Sequence, residues 1–419
     1  MKKLFFVLLF LLLSFIILVY WSVSIHPEEV KISEVIAPER ATTPIRDLDS
    51  VTVIPSNIYE GNAIKNFMQG VNYRRAWSTP VKAPVFLLDS MEILEEGGGH
   101  QTHSLKLRAP NGYIYSMRSV NKDPEPLIPE VARDLGLENV VIDGISAQHP
   151  LGAILSASLS RAAGVLHTHP LLVYTPKQPA LGKFNDDYGN KLYLLEFETE
   201  GENNWTKYDK VLEIMDTDNL QELKMENGDR VTIDERAFVR ARLFDLFIGD
   251  WDRHAKQWGW VVQKDENNFK ATPLAGDRDN AFFRINGVIP GIMTNHFVQP
   301  LVRPFEEDID YIEGFVYPVD VYFLRSTPKE IFIEEAEKLQ KIFSDEEIKA
   351  AFSVWPRQIR TLNEEEITEK LKGRRAHLVE YAKAFKKEID HRDLLIEPLK
   401  GSEDLNLPDR LKKCFNCRQ

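Results

Sequence analysis

Two short acidic stretches hold the residues best equipped for chemistry. The first, directly after Gly249, reads Asp250-Trp-Asp252-Arg253-His254-Ala-Lys-Gln257; the second is Asp277-Arg278-Asp279. Between them Trp258, Trp260 and Val262 alternate as a strand would, and a polar turn at Asp265–Asn268 leads back through Pro273. The order is acidic loop, hairpin, acidic loop, so one hairpin brings both groups of carboxylates to the same end. Phosphoryl transfer needs such a set: one carboxylate to orient an attacking hydroxyl, and others to hold the metal that bridges the phosphates. The plain alternative is structural. Asp-x-Asp pairs also cap helices and hold turns, and Asp250 after Gly249 could do only that.

The flanking sequence supplies elements to position these loops. Phe238, Leu243, Phe244, Phe247 and Ile248 recur at helical spacing and stop at Gly249. Upstream, strands are expected at Val85–Asp89, Ser104–Arg108 and Gly112–Val120, the last entered through an Asn111-Gly112 turn. Between the first two lie Gly97, Gly98 and Gly99, where bare backbone could approach a phosphate or simply form a flexible hairpin loop. A small-residue helix, Leu151–Ala163, precedes His167-Thr-His169, two histidines on one strand face without a third ligand, which reads as structural. A strand at Asn190–Phe197 closes this half. Asn203–Asp216 reads as polar with a helical end. Helices are expected at Pro328–Phe343, Ser344–Phe352 and Asn363–Glu388, the last interrupted by Gly373-Arg374-Arg375, whose arginines fit a solvated face.

The segment Asp252-Arg253-His254-x-x-Gln257 resembles the catalytic loop of atypical kinases: the HipA-type toxin kinases, the spore-coat kinase CotH and the secreted casein kinases of the Golgi. Gly97 to Leu107, with Gln101, is similar to the Gly-rich loop of the HipA-type kinases. The Gly-Asp-Trp-Asp-Arg-His and Asp-Arg-Asp segments also resemble kinase-like modules of Bacteroidetes envelope proteins. The resemblance implies an α+β, bilobal kinase-like fold, with a β-rich small lobe over 59–200 and a helical large lobe over 201–392. It implies ATP or another nucleotide as cofactor, with Mg²⁺ or Mn²⁺. Asp252 would be the catalytic carboxylate and His254 a brace for its loop. Asp279 would hold the metal, with Asp277 close by and Gln257 where the family has Asn or Glu. The exit of the last small-lobe strand, Glu196 through Glu198 to Glu200, would be the hinge whose backbone meets adenine. Two features depart from the family. Arg118 stands where a Lys grips the phosphates, with Lys122 four residues on. No acidic residue occurs between Asp143 and Asp186 to pair with it, which leaves Gln148 and His149 at the helix start.

The chain has 419 residues and a net charge of −12, which argues against a general nucleic-acid binder. Met1-Lys2-Lys3 precedes an apolar run, Leu4 to Val23, read as an uncleaved anchor over 1–24 that leaves the domain outside the inner membrane. Residues 25–58 read as a tether and 393–419 as a loose tail. Cys414 and Cys417 could be a redox pair, half a zinc site or a tail disulfide. The function expected is an exported, membrane-anchored phosphotransferase acting on an unknown protein, glycan or lipid acceptor. The competing expectations are an inactive binding or sensor module, or nucleotide transfer.

Overall fold

The computed structural model describes residues 2–24, 31–36, 43–97, 103–122, 128 and 130–416. The helix Lys2–Val23 is long and apolar enough to cross a membrane. The stretch expected as a tether is partly built into the fold. β1 (Ile32–Val35) and β2 (Ser50–Ser56) join β3 (Val81–Pro84) in an antiparallel sheet. Val51 and Val53 point inward while Thr52 stays exposed, an alternation hidden among Pro, Thr and Ser.

The small lobe is a five-stranded antiparallel sheet in the order β4 (Glu92–Gly97), β5 (Ser104–Arg108), β6 (Ile114–Ser119), β8 (Lys191–Phe197), β7 (Leu171–Thr175). β5, β6 and β8 fall where strands are expected. The strand expected at Val85–Asp89 does not form. Only Val85 bridges, to Tyr174, and Leu88 donates its N–H to the Gln178 side chain. The edge strand is instead β4, whose Glu92, Glu95 and Glu96 give the charged face that edges favour. Met117 pairs with Leu105 and Leu195 across the sheet, in one apolar face. The pleat therefore turns Arg118 and Glu196 to the other face. The helix Gly152–Ala163 buries its small residues, and its Ser156 and Ser160 hydroxyls are tied to carbonyls one turn back.

In the large lobe, β9 (Val211–Asp216) replaces the helical end expected there, and Asp216 caps the helix Thr217–Asn227 by accepting from Asn219 N–H at 3.2 Å. β10 (Val231–Ile233) lies parallel to β12 (Asn268–Ala275), which pairs antiparallel with β11 (Trp258–Asp265); β9 completes the sheet beyond β11. The helix Glu235–Ile248 starts at Asp234, which accepts from Ala237 N–H, and stops at Gly249, left-handed with φ 69°. Nearly all of it from Phe238 onward is buried, so the loop it delivers starts from a fixed point. The last long helix runs unbroken from Arg357 to His391. Arg374 is wholly buried rather than solvated, and donates to the Leu246, Pro304 and Glu306 carbonyls. The tail is packed rather than loose: Leu399, Leu407 and Phe415 are buried and Cys414 is disulfide-bonded. Cys417 lies outside the described residues. The α+β layout expected from the sequence, with its leading apolar helix, is thus the layout observed.

Candidate active site

The two acidic loops meet because an arginine joins them. Arg253 is fully buried and lies over the Trp258 ring at 4.6 Å. It donates to the Gly276 carbonyl at 2.7 Å and to the Gln257 carbonyl at 3.2 Å, and Gly276 N–H returns a bond to Gln257 O. Beneath it, buried Asp245 accepts from Arg242 at 2.8 Å and Arg278 at 3.0 Å. Burial alone would raise the Asp245 carboxyl, but these arginines outweigh burial and hold it low. Asp250 is also buried, and burial pushes its carboxyl well up. It belongs to this base rather than to the open site.

Above the base, the small-lobe sheet contributes its cations. Arg118 forks between Glu196 at 2.7 Å and Asp277 at 2.5 Å, and Lys122 reaches Asp279 at 2.7 Å. Thr168 donates its hydroxyl to the other Glu196 oxygen. Asp277 takes a left-handed backbone, φ 50°, unusual for a residue with a Cβ. Burial opposes its ionisation, yet Arg118 and Lys122 hold its carboxyl well below the usual range. For Asp279 burial and the neighbouring Asp277 prevail, and the carboxyl is raised. Asp252 is half-buried in the facing loop, raised first by burial and then by Asp277. His254 is 3.9 Å from Asp252 and 3.5 Å from the Gln257 amide nitrogen; burial, then Lys400, pushes its pKa down to about 4, so it is neutral at pH 7.

Arg118, Lys122, Glu196, Asp252, His254, Gln257, Asp277 and Asp279 thus come together from four separate chain segments. Glu198 stays at the edge, where its carboxylate accepts from its neighbour Thr199 N–H. Gly97 ends β4 opposite Ser104, while Gly98, Gly99 and Gln101 lie outside the described residues. The small lobe also answers the missing helix glutamate: Glu196, on the strand next to Arg118, pairs with it instead. His149 is core, stacked on Trp355 at 4.1 Å, and Gln148 reaches Asn280 at 2.5 Å. Lys400 was not legible in sequence. It comes from the tail, and Gly401 next to it would meet the Lys256 side chain if it carried a Cβ.

For a divalent cation the fit is partial. Among the described residues no group of three or more His, Cys, Asp or Glu side chains converges. Asp277 Oδ1 and Asp279 Oδ1, however, are buried without a hydrogen-bond partner, and polar atoms so placed demand one. Two carboxylates suit a cation that completes its shell with water and phosphate oxygens.

No protein-family model matches the chain, and no curated protein matches it in sequence. Among solved structures it is similar to the proinflammatory kinase CtkA of Helicobacter pylori, at 14% identity and TM-score 0.36, over 73% of this chain and 99% of that one. It is also similar to HipA of the Shewanella oneidensis MR-1 toxin–antitoxin system, in a complex with HipB and operator DNA, at 12% identity and TM-score 0.32, over 75% and 68%. These superpositions are loose.

Proposed function

We propose that the domain is a kinase-like phosphotransferase, exported and anchored by Lys2–Val23, that uses a nucleotide and Mg²⁺ or Mn²⁺. The observation that carries this reading is the pairing across the cleft. Two cations of one lobe, Arg118 and Lys122, meet two carboxylates of the other, Asp277 and Asp279, and each carboxylate keeps a partnerless buried oxygen. A divalent ion bound there would neutralise phosphate charge as transfer proceeds. Asp277 and Asp279 would hold it, with the Gln257 amide as a weaker neutral donor. Arg118 and Lys122 would turn from these carboxylates to the phosphate oxygens, with the Gly97–Gly99 segment covering them. Glu196 would keep Arg118 aimed. Asp252, whose raised carboxyl is suited to accept a proton, would orient the acceptor hydroxyl. Neutral His254 would brace the loop.

A second reading has its own support. With both cations already paired to the aspartates, the same contacts can serve as a closed ionic latch in a catalytically inactive binding or sensor module of the envelope.

Melting of the full-length protein with ATP, GTP or ADP, each with and without Mn²⁺, separates the two. The phosphotransferase reading expects a Mn²⁺-dependent rise with one nucleotide that is lost in Asp279→Ala. It also expects Asp252→Asn to keep the rise while losing phosphate transfer by at least ~100-fold. No rise with any nucleotide in folded protein, or unaltered transfer by Asp252→Asn, would sink it.

A further inference from the structure

A second concave site, lined by none of the acidic-loop residues, lies between the helix Gly152–Ala163 and the small-lobe sheet. It is a cavity of about 490 Å³, a size that suits a small organic ligand. Its helix wall is Ile154, Ala157, Ser158 and Arg161, residues one turn apart on a single face. Ala157 and Ser158 in the middle of that face leave the volume open. Opposite stand Tyr115 and Phe197, stacked at 4.7 Å, with Phe197 backed in turn by Trp205. The lining is otherwise aliphatic, with His169 at its margin. Two cations, Arg161 and Lys82, border it, and among the described residues neither has a carboxylate partner. Both side chains are exposed, so their charged ends are accessible at the border of the cavity.

We propose that this cavity binds an amphiphile: an apolar chain that fills the space between helix and sheet, ending in one anionic head group held by Arg161 and Lys82. An apolar body matches the lining, and the two exposed cations at its border favour a negative end over a neutral one by charge complementarity. A compact cavity of this size takes a chain molecule, not a protein segment. The apolar helix Lys2–Val23 would keep the domain close to a supply of such molecules. The head group is either a carboxylate or a phosphate monoester, as in a fatty acid or a lysolipid. The inference does not depend on the phosphotransferase reading, because binding here uses none of the residues in the acidic loops.

The test is photo-labelling of the full-length protein held in amphipol, with diazirine-bearing dodecanoate, dodecyl phosphate and dodecanol. The labelled peptides are then identified by mass spectrometry. Labelling is expected in 152–163 and in β6 to β8, stronger by at least ~10-fold for an anionic probe than for the alcohol. The stronger of the two acids identifies the head group. Arg161→Glu should lower that labelling by ~10-fold, and Ala157→Leu should lower it as much by filling the cavity. Should Ala157→Leu fail to fold, Ser158→Phe tests the same point from the half-buried rim. Labelling confined to Lys2–Val23, equal labelling by acid and alcohol, or full labelling of a folded cavity-filled variant would overturn the proposal.

Discussion

At the scale of single residues, charge pairing across the cleft is what gives the site its character. Arg118 is held between two carboxylates, Glu196 and Asp277, in a largely buried position. Replacing it with Met would strand both, at a cost of about 3–5 kcal/mol. Arg118→Lys keeps the charge but cannot fork to two acids, so it should lose about 1–3 kcal/mol. Denaturant melts should therefore rank wild type above Lys above Met, and a Met variant as stable as wild type would show the pairs to be idle. His149 carries a separate prediction. Its Nδ1 accepts from Leu151 N–H, its ring stacks on Trp355, and burial lowers its pKa to about 3. The unfolded chain takes up this proton near pH 6.5. Between those values the unfolded state binds more protons, so this group's contribution is lost as pH falls below 6.5. A His149→Gln variant, less stable at pH 7, should recover roughly 2 kcal/mol relative to wild type by pH 5. A gap that stays constant from pH 7 to pH 5 would mean that His149 charges freely in the fold.

Among the secondary-structure elements, the last long helix makes the clearest case. Glycine in a helix interior is normally worse than alanine by about 1 kcal/mol. At Gly373 the order should reverse. A Cβ there would lie 2.1 Å from the Glu307 side chain and 2.9 Å from its carbonyl oxygen. Gly373→Ala should therefore destabilise by about 1–3 kcal/mol, read as a lower urea midpoint; a stabilised variant would show that the loop at Glu307 does not pack there. The same place shows where sequence reading stops. The apolar stripe of this helix was plain, because Ile367, Leu371, Leu378 and Phe385 repeat locally. The burial of Arg374 was not, because the carbonyls it serves arrive from Leu246, Pro304 and Glu306. The strands behave alike. β5 and β6 alternate and β8 is a short apolar run, so all three are legible, whereas β4 carries three glutamates and β2 sits in Pro-rich sequence. The candidate site divides in the same way. Asp252, Asp277 and Asp279 stand out by spacing, but the Arg118–Glu196 pair depends on strand register, and register is set by the packed face of the whole sheet.

For the molecule as a whole, the segment after residue 392 matters more than its composition suggests. It crosses the large lobe, with Ser402 donating to Gln221 at 2.6 Å and Phe415 N–H to Tyr322 O at 3.0 Å, and seats the Phe415 ring 5.1 Å from Phe323. Leu399, Leu407, Leu411 and Phe415 are buried along the way. At about 1.5–3 kcal/mol each as an upper bound, these four side chains are a large share of any domain's net stability. Ending the chain at Asp393 should lower the melting temperature on the order of 10 °C or prevent folding. Lys400→Gln probes the other contribution of this segment, because Lys400 is exposed and its replacement should move stability by less than ~0.5 kcal/mol. Lys400 counteracts the raised carboxyl of Asp252. Without that ammonium the Asp252 carboxyl rises further, so a larger fraction is protonated at any given acidic pH. If Asp252 orients the acceptor, the acid limb of the pH–rate profile should move to higher pH in Lys400→Gln while the melting temperature holds. An acid limb that stays in place would leave the tail a purely structural strap, with no hand in the chemistry of the site it crosses.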